Sequence, residues 1–94
     1  MPLTFEWDRR KARTNLAKHG VGFEEAATVF GDLLSLTIPD PEHSIAEERY
    51  ITMGRAFNGK LLVVVHTDRG DNIRIISARR ANRRERKFYE EEIE

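Results

Sequence analysis

Cysteine is absent from the 94 residues, which removes disulfides, iron–sulfur clusters, thiolate zinc sites and cysteine nucleophiles at one stroke. Long apolar runs are missing too. Nothing approaches the roughly 18–20 residues needed to span a bilayer, and no signal peptide opens the chain, so the expected compartment is the cytosol. There is no Gly-rich phosphate loop, no G-x-S-x-G elbow and no Walker signature. Histidine is scarce: His19, His43 and His66 lie far apart, with no H-x-x-x-H pair and no carboxylate at ligand spacing. A metal site is therefore not expected. What remains has the length of one domain, 1–94, with 39% hydrophobic and 34% charged residues, a globular rather than a disordered balance. The core must be thin, because folding at this size buries only about 60–65% of the extended surface.

The formal net charge of +0 conceals strong segregation. Residues 1–20 carry a net +3, residues 21–48 carry −7 with no Lys or Arg, residues 49–87 carry +8, and the tail 88–94 carries −4. Blocks of one sign generate local fields that steer an anionic ligand even when the total vanishes. Solvated faces are the plainer reading of any one block.

Thr4-Phe5-Glu6-Trp7 reads as an opening strand, with Asp8 an N-cap for a helix over 9–19 that Gly20 stops. In that helix Ala12, Leu16 and His19 share one face and Lys11, Asn15 and Lys18 another. Phe23, Ala26, Ala27 and Phe30 predict a second short helix ended by Gly31. Leu33 to Ile38 predicts a strand stopped by Pro39-Asp40-Pro41. Arg49–Phe57 and Lys60–Asp68 flank Asn58-Gly59, a hairpin signal that, with a two-residue loop, pairs Arg55 with Leu62 and Met53 with Val64. Arg69-Gly70 predicts a second turn and Ile73 to Ala78 a fifth strand. Asn82 and Glu85 resemble a capping box for a last helix over 82–93. The order β-α-α-β-β-β-β-α predicts an α+β domain, an antiparallel sheet with helices packed on one face.

The segment Ser77 to Lys87 holds six basic residues around a strand-to-helix junction. Cations fill the first turns of that helix and Glu90 to Glu94 its end, the reverse of what the helix dipole prefers. A local rule broken repeatedly in one place points to function, and guanidinium groups beside helix N-terminal amides suit phosphate or RNA. His19, beside Lys18 and Gly20, is an acid–base candidate or a helix cap. His66 is expected as a strand residue at a sheet edge. Glu47-Glu48-Arg49 is either a general base beside a phosphate-binding arginine or a salt-bridged strand start. Trp7 and Phe88 are expected in the core, while Tyr50 is either core or a base-stacking ring.

Several segments occur in a telling order: Phe5-Glu6-Trp7-Asp8, Lys18-His19-Gly20-Val21, Phe23-Glu24-Glu25-Ala26, Val29-Phe30-Gly31-Asp32, Glu48-Arg49 followed by Gly54, and Arg74-Ile75-Ile76-Ser77-Ala78-Arg79. Glu85 and Tyr89 close the series as E-x-x-x-Y. Across about the whole chain this pattern resembles the BrnT toxins of bacterial type II toxin–antitoxin modules. The resemblance implies a RelE-like fold: a four- to five-stranded, mainly antiparallel sheet, two N-terminal helices on one face and a C-terminal helix. It also implies translation inhibition by ribonuclease activity without a metal or other cofactor. The implied partners are an RNA substrate and a BrnA-type ribbon-helix-helix antitoxin that joins the toxin in a DNA-binding hetero-oligomer. On that reading the site comprises His19, Glu48, Arg79, Arg80 and Tyr89, with Lys11, Lys18, Arg49, Arg83 and Arg84 binding RNA. Arg79 and Arg80 hold the scissile phosphate, Glu48 or His19 moves the proton, and Tyr89 orients the substrate or donates a hydrogen bond. The alternatives are a non-catalytic nucleic-acid-binding regulator and an inactive antitoxin-binding scaffold. Turn lengths decide whether Arg79 or Arg80 faces the substrate, and two-residue turns set Arg79 with Ile75, Leu62 and Val64.

Overall fold

The computed structural model describes residues 3–41 and 47–92; Glu42 and His43 lie outside them. Nine elements follow in chain order: β1 (Thr4–Glu6), α1 (Arg9–His19), α2 (Phe23–Ala27), the 3-10 turn Thr28–Gly31, β2 (Leu36–Pro39), β3 (Tyr50–Arg55), β4 (Leu61–Arg69), β5 (Asn72–Arg80) and α3 (Arg83–Glu92). They form an α+β domain around a five-stranded sheet of order β1-β5-β4-β3-β2. All pairs are antiparallel except β1 with β5, which run parallel. The sheet is therefore mixed.

Helix boundaries follow the capping signals. Asp8 Oδ1 accepts the Lys11 amide at 3.0 Å, and Gly20 closes α1 at φ 70°, a conformation that costs glycine little. Asn82 and Glu85 form a reciprocal capping box: Glu85 N donates to Asn82 Oδ1 at 2.8 Å and Asn82 N to Glu85 Oε1 at 2.9 Å.

Two clusters, one on each face of the sheet, divide the alternating residues of β4. Leu62 and Val64 pack with Val21, Phe23, Ala26, Val29, Ile75 and Ala78 under α1 and α2. Leu61 and Val63 pack with Met53 and Tyr89 of α3 on the other side. The helices thus lie on both faces, not on one as a simple two-layer domain predicts. α1 buries Asn15 and packs Ala12 against the core but leaves Leu16 half-exposed, so the packed face runs through Ala12 and Asn15 instead of Ala12, Leu16 and His19. Phe88, expected in the core, is 51% exposed. Leu33 and Leu34 precede β2 in a turn instead of opening it.

The strand registers differ from those expected, through a longer first loop and a bulge. Arg55 pairs with Leu61 and Met53 with Val63. Gly59 N donates to Ala56 O at 2.9 Å, Ala56 N to Lys60 O at 2.9 Å, and Gly59 takes φ 85° while Asn58 keeps a negative φ. A type I′ turn needs both residues positive; here a three-residue loop with a left-handed glycine closes the hairpin. The second turn is Gly70-Asp71, since Arg69 pairs with Asn72, and a bulge at Val65/His66 shifts the register again. Each one-residue slip exchanges the faces. Arg79 consequently sits opposite Val63, in the row Leu36–Met53–Val63–Arg79, and Arg80 opposite Leu62 on the α1 side. This reverses the arrangement that two-residue turns predict.

Candidate functional site

The first concentration of cations lies along α1. Arg10, Lys11, Lys18 and His19 line a depression floored by Ile76 and Ser77 of β5. It exists because β1 ends opposite Arg74, leaving the outer edge of β5 beside the helix. Asn15 takes the place of the missing strand. Its Nδ2 donates to Ala78 O at 2.8 Å and to Val21 O at 3.0 Å, and its Oδ1 accepts from Ala78 N at 3.1 Å. A buried amide is thereby satisfied by backbone groups that would otherwise be orphaned. No sequence signal marked Asn15 beyond its place on the polar stripe of the helix.

Ile76 is the extra residue of the bulge, between Ser77 opposite Val65 and Ile75 opposite His66. Bulges re-aim side chains beside functional sites. Ile76 and Ser77 also border a second depression, with Asp40, Arg49 and Val65. Lys11, Lys18, His19 and Arg49 are thus brought to two sides of one stretch of β5. Arg80 is exposed on the α1 side, two residues and about 7 Å along the strand from Ala78. Arg49 also approaches Glu47 at 3.9 Å.

Glu48 accepts the Tyr50 hydroxyl at 2.8 Å and, through its carbonyl, the Thr67 hydroxyl at 2.6 Å. The carboxylate raises the Tyr50 pKa, its hydrogen bond being the main cause. Thr67 and Val63, the partner of Arg79, are four residues apart on β4, so Glu48 and Arg79 stand roughly 13 Å apart along the strand. They do not meet.

Arg79 has a partner of its own. Its two terminal nitrogens donate to Glu85 at 2.7 and 2.8 Å, a bidentate pair. The pair keeps Glu85 below the usual carboxylate range, with Arg79 the first cause, and raises Arg79 further. Arg83 and Arg84 at the start of α3 are exposed. Arg83, Arg86 and Lys87 border a shallow depression with Glu90 and Glu91.

Tyr89 is 1% exposed and donates its hydroxyl to Asp32 Oδ2 at 2.7 Å. Burial, then this carboxylate, pushes the phenol pKa up. Asp32 also accepts Arg55 N at 2.8 Å and Leu34 N at 2.9 Å. Burial opposes its ionisation, but these donors outweigh it and hold the carboxyl below its ordinary value. Arg55 covers the Tyr89 ring at 5.6 Å. Sequence reading found Tyr89 by motif but had no signal for Asp32 as its acceptor.

His66 is not at a sheet edge: β4 is interior and the ring is 5% exposed. Its Nε2 lies 2.7 Å from Thr52 Oγ1 and the ring stacks on Tyr50 at 5.9 Å. Tyr50 therefore packs in the fold. Among the described residues no three His, Asp or Glu side chains gather where a metal ion could be held, and no helix is long and apolar enough to cross a membrane.

No curated protein sequence matches the chain. The family model for the BrnT ribonuclease toxin of type II toxin–antitoxin systems matches residues 7–85. Among solved structures, the chain is similar to the Brucella abortus ribonuclease toxin BrnT, crystallised at 1.1 Å resolution. The two share 25% identity and a TM-score of 0.68 over 87% of this chain and 100% of that one. With its sheet, its helices and the matched span in agreement, the chain belongs to the BrnT family of ribonuclease toxins of type II toxin–antitoxin systems.

Proposed function

We propose that the chain is a RelE-like endoribonuclease that cleaves RNA without a metal, inhibits translation in the bacterial cytoplasm and is neutralised by a BrnA-type ribbon-helix-helix antitoxin. The observation that carries the reading is the basic depression where α1 meets the uncovered edge of β5. Phosphate binding falls to Lys11, Lys18 and Arg80, with Arg49 across the strand and Arg83 and Arg84 further out. An RNA chain cleaves itself when a base takes the 2′-OH proton, cations hold the phosphate and an acid protonates the leaving 5′-oxygen.

His19 is the acid–base group best placed for this, since it shares the depression with the two lysines and its imidazole carries both a proton donor and an acceptor nitrogen. Glu48, next to Arg49, is the second. Arg79 and Tyr89 act differently from a direct substrate contact. Arg79 fixes the junction through Glu85, and Tyr89 fixes α3 through Asp32. Both are positioning residues in this proposal.

Purified protein incubated with labelled RNA in excess EDTA should cleave it. Arg80→Ala should lower kcat by about 10²-fold while circular dichroism stays unchanged, the loss expected when one transition-state charge contact is removed. Wild-type cleavage that stops with EDTA and returns with magnesium would overturn the metal-free mechanism. Wild-type RNA binding without cleavage would favour a regulator.

A further inference from the structure

The sheet face under α3 is only partly covered. Leu36, Ile38, Ile51, Met53 and Val63 floor a groove of about 360 Å³ that Phe88 of α3 overhangs. Ile38 and Phe88, 56% and 51% exposed, carry the apolar surface beyond the groove itself. At its rim stand Arg79, Arg84 and Glu85. Glu85 is taken up by Arg79, whereas Arg84 forms no ion pair among the described residues.

A small-molecule pocket needs several convergent polar groups to orient its ligand. Here the polar groups stand only at the rim, and the floor is apolar. An apolar centre with a charged margin is the anatomy of a protein-binding surface. A second copy of this chain fits poorly, because a two-fold contact would set the same arginine rim against itself. The complement is an apolar stripe flanked by carboxylates.

Resting on the reading of the chain as a toxin with a protein antitoxin, we propose that this groove is where the antitoxin docks, through an apolar segment with Asp or Glu beside it that meets Arg84. The location also accounts for inhibition. Ile51 lines the groove and pairs with Val65, which borders the Arg49 depression. A segment seated in the groove therefore stands one row of side chains from the proposed RNA track.

The test uses the full chain co-expressed with the small protein encoded by the gene adjacent to its own, where that gene encodes the antitoxin of the pair. Ile38→Asp and Phe88→Asp, both at half-exposed positions, should each weaken antitoxin capture about thirtyfold, as a charge set against the apolar stripe of the partner does. RNA cleavage by each variant should match wild type. Arg84→Glu should weaken capture, and exchanging a flanking antitoxin carboxylate for lysine should restore it. Wild-type capture by Ile38→Asp and Phe88→Asp, each shown folded by its thermal transition, would overturn the proposal. So would wild-type protein that dimerises alone in solution through the groove. If the wild type cleaves no RNA yet capture depends on the groove, the ribonuclease reading falls and the docking surface stands.

Discussion

At the scale of single residues, three positions carry unusual constraint. A Cβ on Gly54 would lie 2.9 Å from Ser35 Cβ, 3.0 Å from Val29 Cγ1 and 3.1 Å from Asp32 Oδ2. Glycine is required there for space, not for dihedral freedom. Gly54→Ala should destabilise the fold by about 1–3 kcal/mol, the range for overpacking, seen as a lower midpoint in urea. Asn15 is required for its amide. Asn15→Leu leaves Ala78 N–H, Ala78 C=O and Val21 C=O without that partner, so a loss of roughly 1–3 kcal/mol is expected by the same measurement. His66 makes stability depend on pH. Burial pushes its pKa below the ordinary 6.5, partly countered by Asp68. The unfolded chain then takes up a proton at a pH where the native ring stays neutral. Stability should be full above about pH 6.5 and fall as the pH drops below it, towards the native value. His66→Gln should flatten that dependence between pH 7 and pH 5; an equally steep curve would locate its cause in another group.

At the scale of elements, α3 is held by side chains more than by its own preference. Its arginines and glutamates oppose the helix dipole, a cost of a few tenths of a kcal/mol each on average. The capping box, the Arg79–Glu85 pair and the Tyr89–Asp32 hydrogen bond offset it. Tyr89→Phe should lower stability by about 1–2 kcal/mol and leave kcat on RNA near wild type. A collapse of kcat at full stability would instead make the hydroxyl catalytic. Elements were legible in the sequence wherever a local signal sets them: Asp8 and Gly20 bound α1, and Asn82 with Glu85 opens α3. Register was not, because Asn58-Gly59 is compatible with two- and three-residue loops and the bulge at Val65/His66 has no sequence mark. That slip exchanged the faces that Arg79 and Arg80 occupy. In the candidate site, the cations of α1 were legible as residues, but their meeting with Ile76 and Ser77 was not. Neither were the long-range contacts of Asn15 and Asp32, which depend on the finished packing.

At the scale of the whole molecule, charge is zero in sum and polarised in place. Cleavage should weaken as salt rises, with a logarithmic slope of about −0.7 per phosphate contact on single strands. Lys18→Gln should make that slope shallower by about one contact; an unchanged slope would remove Lys18 from the track. The sheet also joins the two ends of the chain. β1 lies parallel to β5, and Glu6 binds Arg74 at 2.9 Å across a separation of 68 residues. Asn15 waits likewise for Ala78, 63 residues on. A ribosome adding about 5–20 residues per second needs roughly 3–14 s to cover the interval from Glu6 to Arg74. Until then β1 has no neighbour, α1 has no strand to lie against, and the depression between α1 and β5 does not exist. The basic depression is therefore a late feature of folding, completed only when segments 68 residues apart have met.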